Sequence, residues 1–599
     1  MKLKIMIPFM VITMVLSLQL RAATTYYFSQ SAGSDSNNGT DSTTAKKSIS
    51  AALALMGSGN TILFKRGDQW YLPLFSLDLT GKSNFTINAY GSPSLAKPVL
   101  AGMSILTNTS WVYDGLFKWR YAITYDSIFR VIVNGATKMN LKYEINKTNS
   151  KDSLKTTSEY YFDTAAKNLY LYTGSSTVGP QNVEIVPGSI TYPNGLSTVL
   201  MSGTSTVTIH NIDFRGGSKW NIMAVYAPSN NIIIDNCTIQ RASSFASGLL
   251  VGDTLKSSTN YVSHITVTNN VVDKSFSTLE NSTWKTLSGD GIFFLNAVDT
   301  GTISGNTIFN WGHLGISLTS YYAVSPNIHG VHHVTVEQND VSAGVSAYTH
   351  ALDVSGLPGL TTYNVIKRNN FHDYTTTCHL QGSNNLFFSN IFNGVIATTK
   401  AGQSIQPFGG DVVPWRRPEG IMEAKDNWIL NNTFANTGGY SLWIGWNDSA
   451  MKYNTNVTNN KIANNIMYNF KDFPMALDTL ALDIDTTADG TNYYRNNNFY
   501  AGDSTGWVVR YKKYPFYSAS GFNTALGCNG DCTNNTQSNP QFTGYFVLGN
   551  SIPTALKTGG IDYSSLICPA YIPLSEFVDY LGNQWRTGSP GPSRGAVQK

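Results

Sequence analysis

The stretch "DNWILNNTF", Asp426 to Phe434, joins an apolar strand-like run to two asparagines and a hydrophobic close, and the same phrase returns along the chain. It stands as "NCTI" at Asn236, "NNVV" at Asn269, "GNTI" at Gly305, "QNDV" at Gln338, "RNNF" at Arg368, "SNIF" at Ser389, "NNIM" at Asn464 and "NNNF" at Asn496. Counted on the last hydrophobic residue, from Phe214 through Ile239, Val272, Ile308, Val341, Phe371, Phe392, Phe434, Met467 and Phe499, the intervals are 25, 33, 36, 33, 30, 21, 42, 33 and 32 residues. One unit with insertions of variable length accounts for these spacings. A period of this size belongs to solenoids, and short β-rich runs without helical patterning select the parallel β-helix among them. Equivalent positions of successive coils then stack about 4.8 Å apart. Asparagines at a turn can bond one to the next and satisfy backbone groups where the chain bends, so "NNTF" reads as scaffold.

The ends and the composition bound the rest. "MKLKIMIPFMVITMVLSLQLRAATTYY" sets Lys2 and Lys4 ahead of an apolar run that closes on Ala22 and Ala23, the layout of a signal peptide over residues 1–23. Its apolar run is shorter than the roughly 20 residues a bilayer crossing needs, so the expected destination is secreted or periplasmic. Removing Lys2, Lys4 and Arg21 takes the formal charge from +4 to +1, which leaves no bulk field for nucleic acid or an acidic membrane. With 33 Tyr and 12 Trp against 13% charged residues, the chain is rich in β-formers and in flat rings that stack on sugars. Five cysteines cannot all pair internally. Cys528 and Cys532 are the expected bridge, while Cys237 and Cys378 fall in strand-like runs that suit buried thiols. Residues 24–200 are expected to form an N-terminal cap and the first coils, including a hairpin over Tyr160 to Thr173. Residues 200–500 form the regular coils and 501–599 a last coil and capping segment.

Each coil also holds a second short run with glycine or alanine near its start: "DGIFF" from Asp290, "LGISL" from Leu314, "HALDV" from His350, "CHLQG" from Cys378, "GIMEA" from Gly420 and "YSLWI" from Tyr440. If Ile292, Ile316, Leu352, Leu380, Met422 and Leu442 point inward, alternation sends Phe293, Ser317, Asp353, Gln381, Glu423 and Trp443 outward in one column. Burying Asp353, Glu423 and Lys425 together is the costlier alternative. Asp353 and Glu423 would then stand two coils, about 9.6 Å, apart at the backbone. Inverting glycosidases hold their carboxyls roughly 6.5–9.5 Å apart and retaining ones about 5–5.5 Å, so this spacing leans toward inversion. Asp353 and Glu423 are the expected catalytic pair, with Asp290 in reserve. His313, His350, His379, Gln381, Lys425 and Trp443 are expected to touch substrate. Trp415, Arg416 and Arg417 join them from the insertion "GQSIQPFGGDVVPWRRPEG", whose guanidiniums suit a carboxylate or a sulfate.

The opening "YYFSQSAGSDSNNGT…KKSISAALALMGSGNTILFKRGDQW", then "NAYGSPSLAKPVLAG", the repeat and the closing "DYLGNQWRTGSPGPSRGAVQ" resemble secreted bacterial proteins of the pectate-lyase-like superfamily. The resemblance implies an all-β fold, a right-handed parallel β-helix solenoid with an N-terminal cap and insertion loops. Lyases, hydrolases, epimerases and adhesins share that fold, so it leaves the reaction open. "MEAKDNWILNNTFANTGGYSLWIG" is similar to the catalytic coils of alginate-lyase and chondroitinase-B type β-helices, but Glu423 stands where that family has its basic lysine and Trp443 lies near its expected arginine. "GHLGISL" around His313 resembles the Gly-His-Gly of polygalacturonase-type hydrolases, with only "GDG" where that group has paired aspartates. A carboxylate in place of a base favours a glycoside hydrolase acting on a polysaccharide or oligosaccharide, acidic or sulfated, as a monomer. A polysaccharide lyase working by β-elimination at a uronate is the alternative, and a non-catalytic glycan-binding or adhesin β-helix is the third reading. The crowding of His, Arg and carboxylates between Asp290 and Lys425 speaks against that third reading. No HxH or HExxH spacing suggests a metal. Calcium stays open at the oxygen-rich "GSDSNNGTD" (Gly33 to Asp41) and "DIDTTADGTN" (Asp483 to Asn492), although turns need the same residues.

Overall fold

The computed structural model describes residues 22–140, 148–189, 191, 197–217, 221–242, 247–253, 260–273, 289–311, 313–320, 329–342, 350–356, 359–372, 378–380, 382–393, 422–436, 442–444, 455–468, 482–484, 492–500, 508–511, 514–525, 532–542 and single positions beyond. The expected signal segment lies outside them over residues 1–21. Among the described residues no helix is long and apolar enough to cross a membrane. The chain winds as a parallel β-helix whose coils visit three sheets in a fixed order. One turn runs through Leu314–Ser320 in sheet three, Val331–Glu337 in sheet one and Asp340–Ser342 in sheet two, and the next opens with His350–Gly356 back in sheet three.

Among the described residues sheet two holds twelve parallel strands, from Gln69–Tyr71 to Asn498–Tyr500. Its register joins the residues that the spacing singled out. Phe214 pairs with Ile239, and the line continues through Val272, Ile308, Val341, Phe371, Phe392, Phe434, Met467 and Phe499. All ten side chains are fully buried. Phe371, Phe392 and Phe434 stack with centroids 5.1 and 4.9 Å apart, near the rung spacing, because identical neighbours in a parallel ladder repeat one rotamer.

The corner from sheet one to sheet two is two residues long in coil after coil, for example between Thr268 and Val271 and between Leu430 and Thr433. Its first residue takes a left-handed conformation: Asn236, Asn269, Gly305, Gln338, Arg368, Ser389, Asn431, Asn464 and Asn496 all have φ between 47° and 64°. Asparagine and glycine enter that region at least cost, which explains their frequency there. The second residue turns inward. Asn270, Asn306, Asn339, Asn369, Asn390, Asn432, Asn465, Asn497 and Asn535 form a continuous amide ladder, each Oδ1 accepting the backbone N–H and the Nδ2–H of the asparagine below it. A second ladder, within sheet one, runs through Asn364, Asn385, Asn427, Asn460 and Asn492. Its asparagines sit five residues ahead of their partners in the first ladder.

The coils are closed and interrupted. Helix Ile49–Leu55, N-capped by Ser48, adds Ile49 and Ala52 to the core. Between Val99–Gly102 and Val199–Ser202 the chain leaves the solenoid to build an eight-stranded, mostly antiparallel sheet spanning Ser104–Gly188, with a core of its own. It contains the hairpin expected over Tyr160 to Thr173, where Tyr160 pairs with Leu171, but the reading of first coils had no such inserted unit. Glu184 fastens the unit to the solenoid by accepting from Tyr71 at 3.1 Å and pairing with Arg241. Cys237 is a buried free thiol, pushed up to about 12 by burial. Cys532 is disulfide-bonded, and Cys528 lies outside the described residues.

Two stability tests follow from the corners. Asn432→Ala strips the acceptor from two Asn390 N–H groups and the donors from Phe387 O and Asn465 Oδ1. It is expected to cost about 2–4 kcal/mol in urea melts, whereas exposed Asn230→Ala should stay within about 0.5 kcal/mol. Asp235 bonds His210 on the preceding coil at 2.6 Å. Burial raises its carboxyl, but bonds from Asn269 and Thr268 and the His210 charge outweigh that and hold it below the usual value. A depressed carboxyl stabilises fully above its unfolded pKa and loses that contribution as pH falls through the folded value. Asp235→Asn should therefore melt below the wild type at neutral pH, with the gap closing below about pH 4.

Candidate functional site

The two-residue corner leaves insertions little room except on the flanks of sheet three. Eighteen residues separate Asp273 from Ile292, ten separate Ser320 from Val331, and seven separate Ser342 from His350. Connections of variable length carry binding and catalysis on a rigid frame, so the outer face of sheet three is the candidate site.

Its strands start with a close approach. Glycine stands at Gly291 because a Cβ there would meet Gly315 O at 2.5 Å and the Ile308 side chain at 2.6 Å. Gly248 and Gly315 are similarly crowded, which explains the small residue near the start of each run. Beyond it Leu249, Ile292, Ile316 and Leu352 pair in line and fill the core, as do Val251, Phe294, Leu318 and Val354. The outward line between them runs Leu200, Ala224, Leu250, Phe293, Ser317 and Asp353, with the backbone of His379 next in register. It is apolar over four coils and then turns polar and ionisable.

Asp353 is 3% exposed, yet it faces away from the core between Leu352 and Val354. Its Oδ2 accepts from Ser355 at 2.7 Å, Thr319 at 2.8 Å and Ser317 at 3.5 Å. These three hydroxyls were not among the expected site residues. Their signal lies in "ISLTS" and "LDVS", where the polar residues occupy the outward positions of two adjacent coils. Asp290 is 4% exposed and bonds the half-exposed His313 through Nδ1 at 2.8 Å. The next coil joins them, since the His350 N–H donates to His313 O at 2.9 Å. By strand count Asp290 and Asp353 are two rungs and three residues apart, roughly 14 Å at the backbone.

The expected column needs correction above Asp353. His379, not Gln381, pairs with Asp353, and Leu380 pairs with Val354. The strand has slid by two, a shift that keeps the inward and outward faces intact. Glu423 lies on Met422–Lys425, a strand of sheet one, where Ala424 pairs with Gly382 and Lys425 with Ser383. "GIMEAK" runs directly into the second-ladder Asn427 and so belongs with the strand after the corner. Glu423 is therefore two rungs and two residues from Asp353, at the margin where sheet three gives way to sheet one. Trp443 is on a separate four-stranded sheet, on Leu442–Ile444, so the single column through Asp353, Glu423 and Trp443 does not form. Lys425 lies half-exposed, 3.9 Å from Asp426. Gln381, Trp415, Arg416 and Arg417 lie outside the described residues, as do the side chains of Glu423, His379 and Trp443.

The oxygen-rich Gly33–Asp41 stretch performs turn duties: Asp35 accepts from the Lys47 and Ser48 N–H groups and Asp41 from Thr43. Most of Asp483–Asn492 lies outside the described residues. Among the described residues no three His, Cys, Asp or Glu side chains gather as a metal site.

Residues 162–326 match the family model described as the right handed beta helix region, and the solenoid is a right-handed parallel β-helix. No curated protein matches the chain. Among solved structures it is similar to XylC in complex with xylose, at 12% identity over 82% of this chain and 86% of that one, TM-score 0.41. It is similar to a protein described as a glycoside hydrolase, at 11% over 80% and 93%, TM-score 0.44. It is also similar to pectate lyase Pel9A, at 13% over 97% and 98%, TM-score 0.43.

The hydroxyl cluster gives a direct test. Asp353→Ala leaves Thr319 and Ser355 without their acceptor and is expected to lower stability by about 1–3 kcal/mol, while Asp353→Asn, which retains an oxygen, should lose less than about 1 kcal/mol. Equal losses in urea melts would contradict the bonding described.

Proposed function

We propose that the protein is a polysaccharide-degrading glycoside hydrolase whose substrate lies across the outer face of sheet three, with Asp353 and Glu423 as the reacting carboxylates and Asp290 as the reserve. The observation that carries this reading is the outward line itself, which changes from Leu250 and Phe293 to Ser317 and Asp353 over four successive coils. A solenoid that needed only solubility would place solvated residues there. A carboxylate buried under three donors, with two histidine-bearing coils beside it, is an arrangement that catalysis uses.

Asp353 suits the base. The hydroxyls of Ser317, Thr319 and Ser355 donate to one of its oxygens and fix its orientation. Glu423 then serves as the acid from the sheet margin. Two rungs and two residues put their backbones roughly 12 Å apart, a span that suits the inverting carboxyl separation of about 6.5–9.5 Å better than the retaining one of about 5–5.5 Å. His313, held by Asp290, and His350 would contact the sugar on the near side. Arg416 and Arg417 would take an acidic or sulfated group.

One observation favours a second reading. Lys425 lies half-exposed two residues beyond Glu423, and a lysine at a sheet margin can remove the proton beside a uronate carboxylate, the step of a lyase.

The deciding experiment is product analysis on plant and algal glycans. Hydrolysis releases saturated reducing ends, and Asp353→Asn and Glu423→Gln should each lower the rate about 10²–10⁴-fold with folding kept. Ultraviolet absorbance of an unsaturated uronate, lost in Lys425→Ala and kept in Glu423→Gln, would replace the hydrolase with the lyase.

A further inference from the structure

The inserted unit Ser104–Gly188 has a feature that neither the solenoid nor the sheet-three face requires. Its strand order begins with Ser104–Leu106 and ends with Val112–Tyr113. These two strands are neighbours in sequence, so the sheet curls round a core of Leu106, Trp111, Val131, Leu169 and Ile185. One mouth of the curl opens as a pocket of about 430 Å³ between the turn after Ser127–Val133, the end of Asn168–Tyr172 and the loop through Pro180. Ligand sites favour the mouths of curled sheets, and this volume falls in their usual range.

The lining has a definite chemistry. Asn134, Thr173, Ser175 and Gln181 bring amides and hydroxyls, Tyr172 brings a ring, and no lining residue carries a charge at neutral pH. Beside Tyr172 stands Phe117, ring centroids 6.1 Å apart and edge to face. Leu116 and Phe117 hold left-handed backbone conformations, φ 50° and 59°, while 75% and 44% exposed. Bulky residues rarely adopt that conformation, and strain of this kind gathers at ligand clamps. The Thr173 N–H donates to Phe117 O at 3.0 Å and ties this tip to the pocket wall. Of the twelve large hydrophobic residues exposed among the described residues, six lie in this unit: Ile105, Val112, Tyr113, Leu116, Phe117 and Val178. Such a concentration marks an interaction surface.

We propose that this mouth is a non-catalytic site for an uncharged saccharide, separate from the sheet-three face. Stacking on Tyr172, which Phe117 backs edge to face, supplies the apolar contact that a sugar ring offers on its C–H face. The Thr173 and Ser175 hydroxyls are spent on shaping the loop. Among the described residues Asn134 engages only its Oδ1 and Gln181 only its Nε2, which leaves the Asn134 amide N–H groups and the Gln181 carbonyl at the mouth to pair with sugar hydroxyls. A uronate or sulfated sugar would bury its charge against a lining with no cation to receive it.

Affinity electrophoresis of the full chain tests this in gels containing arabinoxylan, galactomannan, mixed-linkage β-glucan or polygalacturonate. At least one uncharged polymer should retard the protein. Val178→Asp, at an exposed rim position, should weaken that retardation at least tenfold while the melting temperature and turnover of a short soluble substrate stay unchanged. Ala136→Asp on the facing wall should repeat the loss. The proposal is overturned if no uncharged polymer retards the chain, if only polygalacturonate does, or if both variants bind as the wild type does. None of these outcomes depends on whether the sheet-three face hydrolyses or eliminates.

Discussion

The inward-turned asparagine at the two-residue corner is the constraint on which the rest depends. At that point the backbone must bend from sheet one into sheet two against a dry core, where an unpaired N–H or C=O costs most of a lost hydrogen bond. A single side chain with two donors and an acceptor covers the deficit by bonding the coil above and the coil below. Once Asn390 accepts from Asn369 and donates to Asn432, the corner cannot take an extra residue without breaking two coils at once. Variation is therefore expelled to the flanks of sheet three. The fold's rigidity on one side and its functional variety on the other come from the same bond.

That constraint also decides what could be read from the sequence. A repeat bonded to itself must repeat in the chain, and the ten hydrophobic positions from Phe214 to Phe499 were legible because each fills the same slot. The second ladder is equally present, with asparagines five residues apart at Asn364 and Asn369, Asn385 and Asn390, and Asn427 and Asn432, but the corner repeat alone does not predict it. The outward line was read correctly as far as Asp353. It failed above because the corner from sheet three to sheet one has no ladder to fix its length, and the strand bearing His379 slid by two residues. Glu423 was assigned to the wrong sheet for the same reason: short apolar runs look alike, and only the distance to the next ladder asparagine tells them apart. The inserted unit was missed as a unit because alternation in "YYFDTAAKNLYLYT" reports strands without saying which sheet receives them.

The site that emerges is built in layers of decreasing rigidity. The core line through Leu352 and Val354 fixes the strand, the hydroxyls of Ser317, Thr319 and Ser355 fix Asp353, and the Asp290–His313 bond fixes the neighbouring coil. Each layer holds the next by bonds between successive coils, so the spacing of the proposed reacting groups follows the rung repeat. Substrate identity is left to the connections of variable length. The mouth of the inserted unit has an uncharged lining, and on the proposal above it holds a polymer while a different part of that polymer is cut.

The most direct test of the account is a crystal structure of the Asp353→Asn variant with a bound oligosaccharide substrate. The account predicts sugar lying along the outer face of sheet three, with a glycosidic oxygen between residue 353 and Glu423 and with His313 or His350 in contact. Sugar bound on another face of the solenoid, with position 353 sealed away from it, would contradict the account.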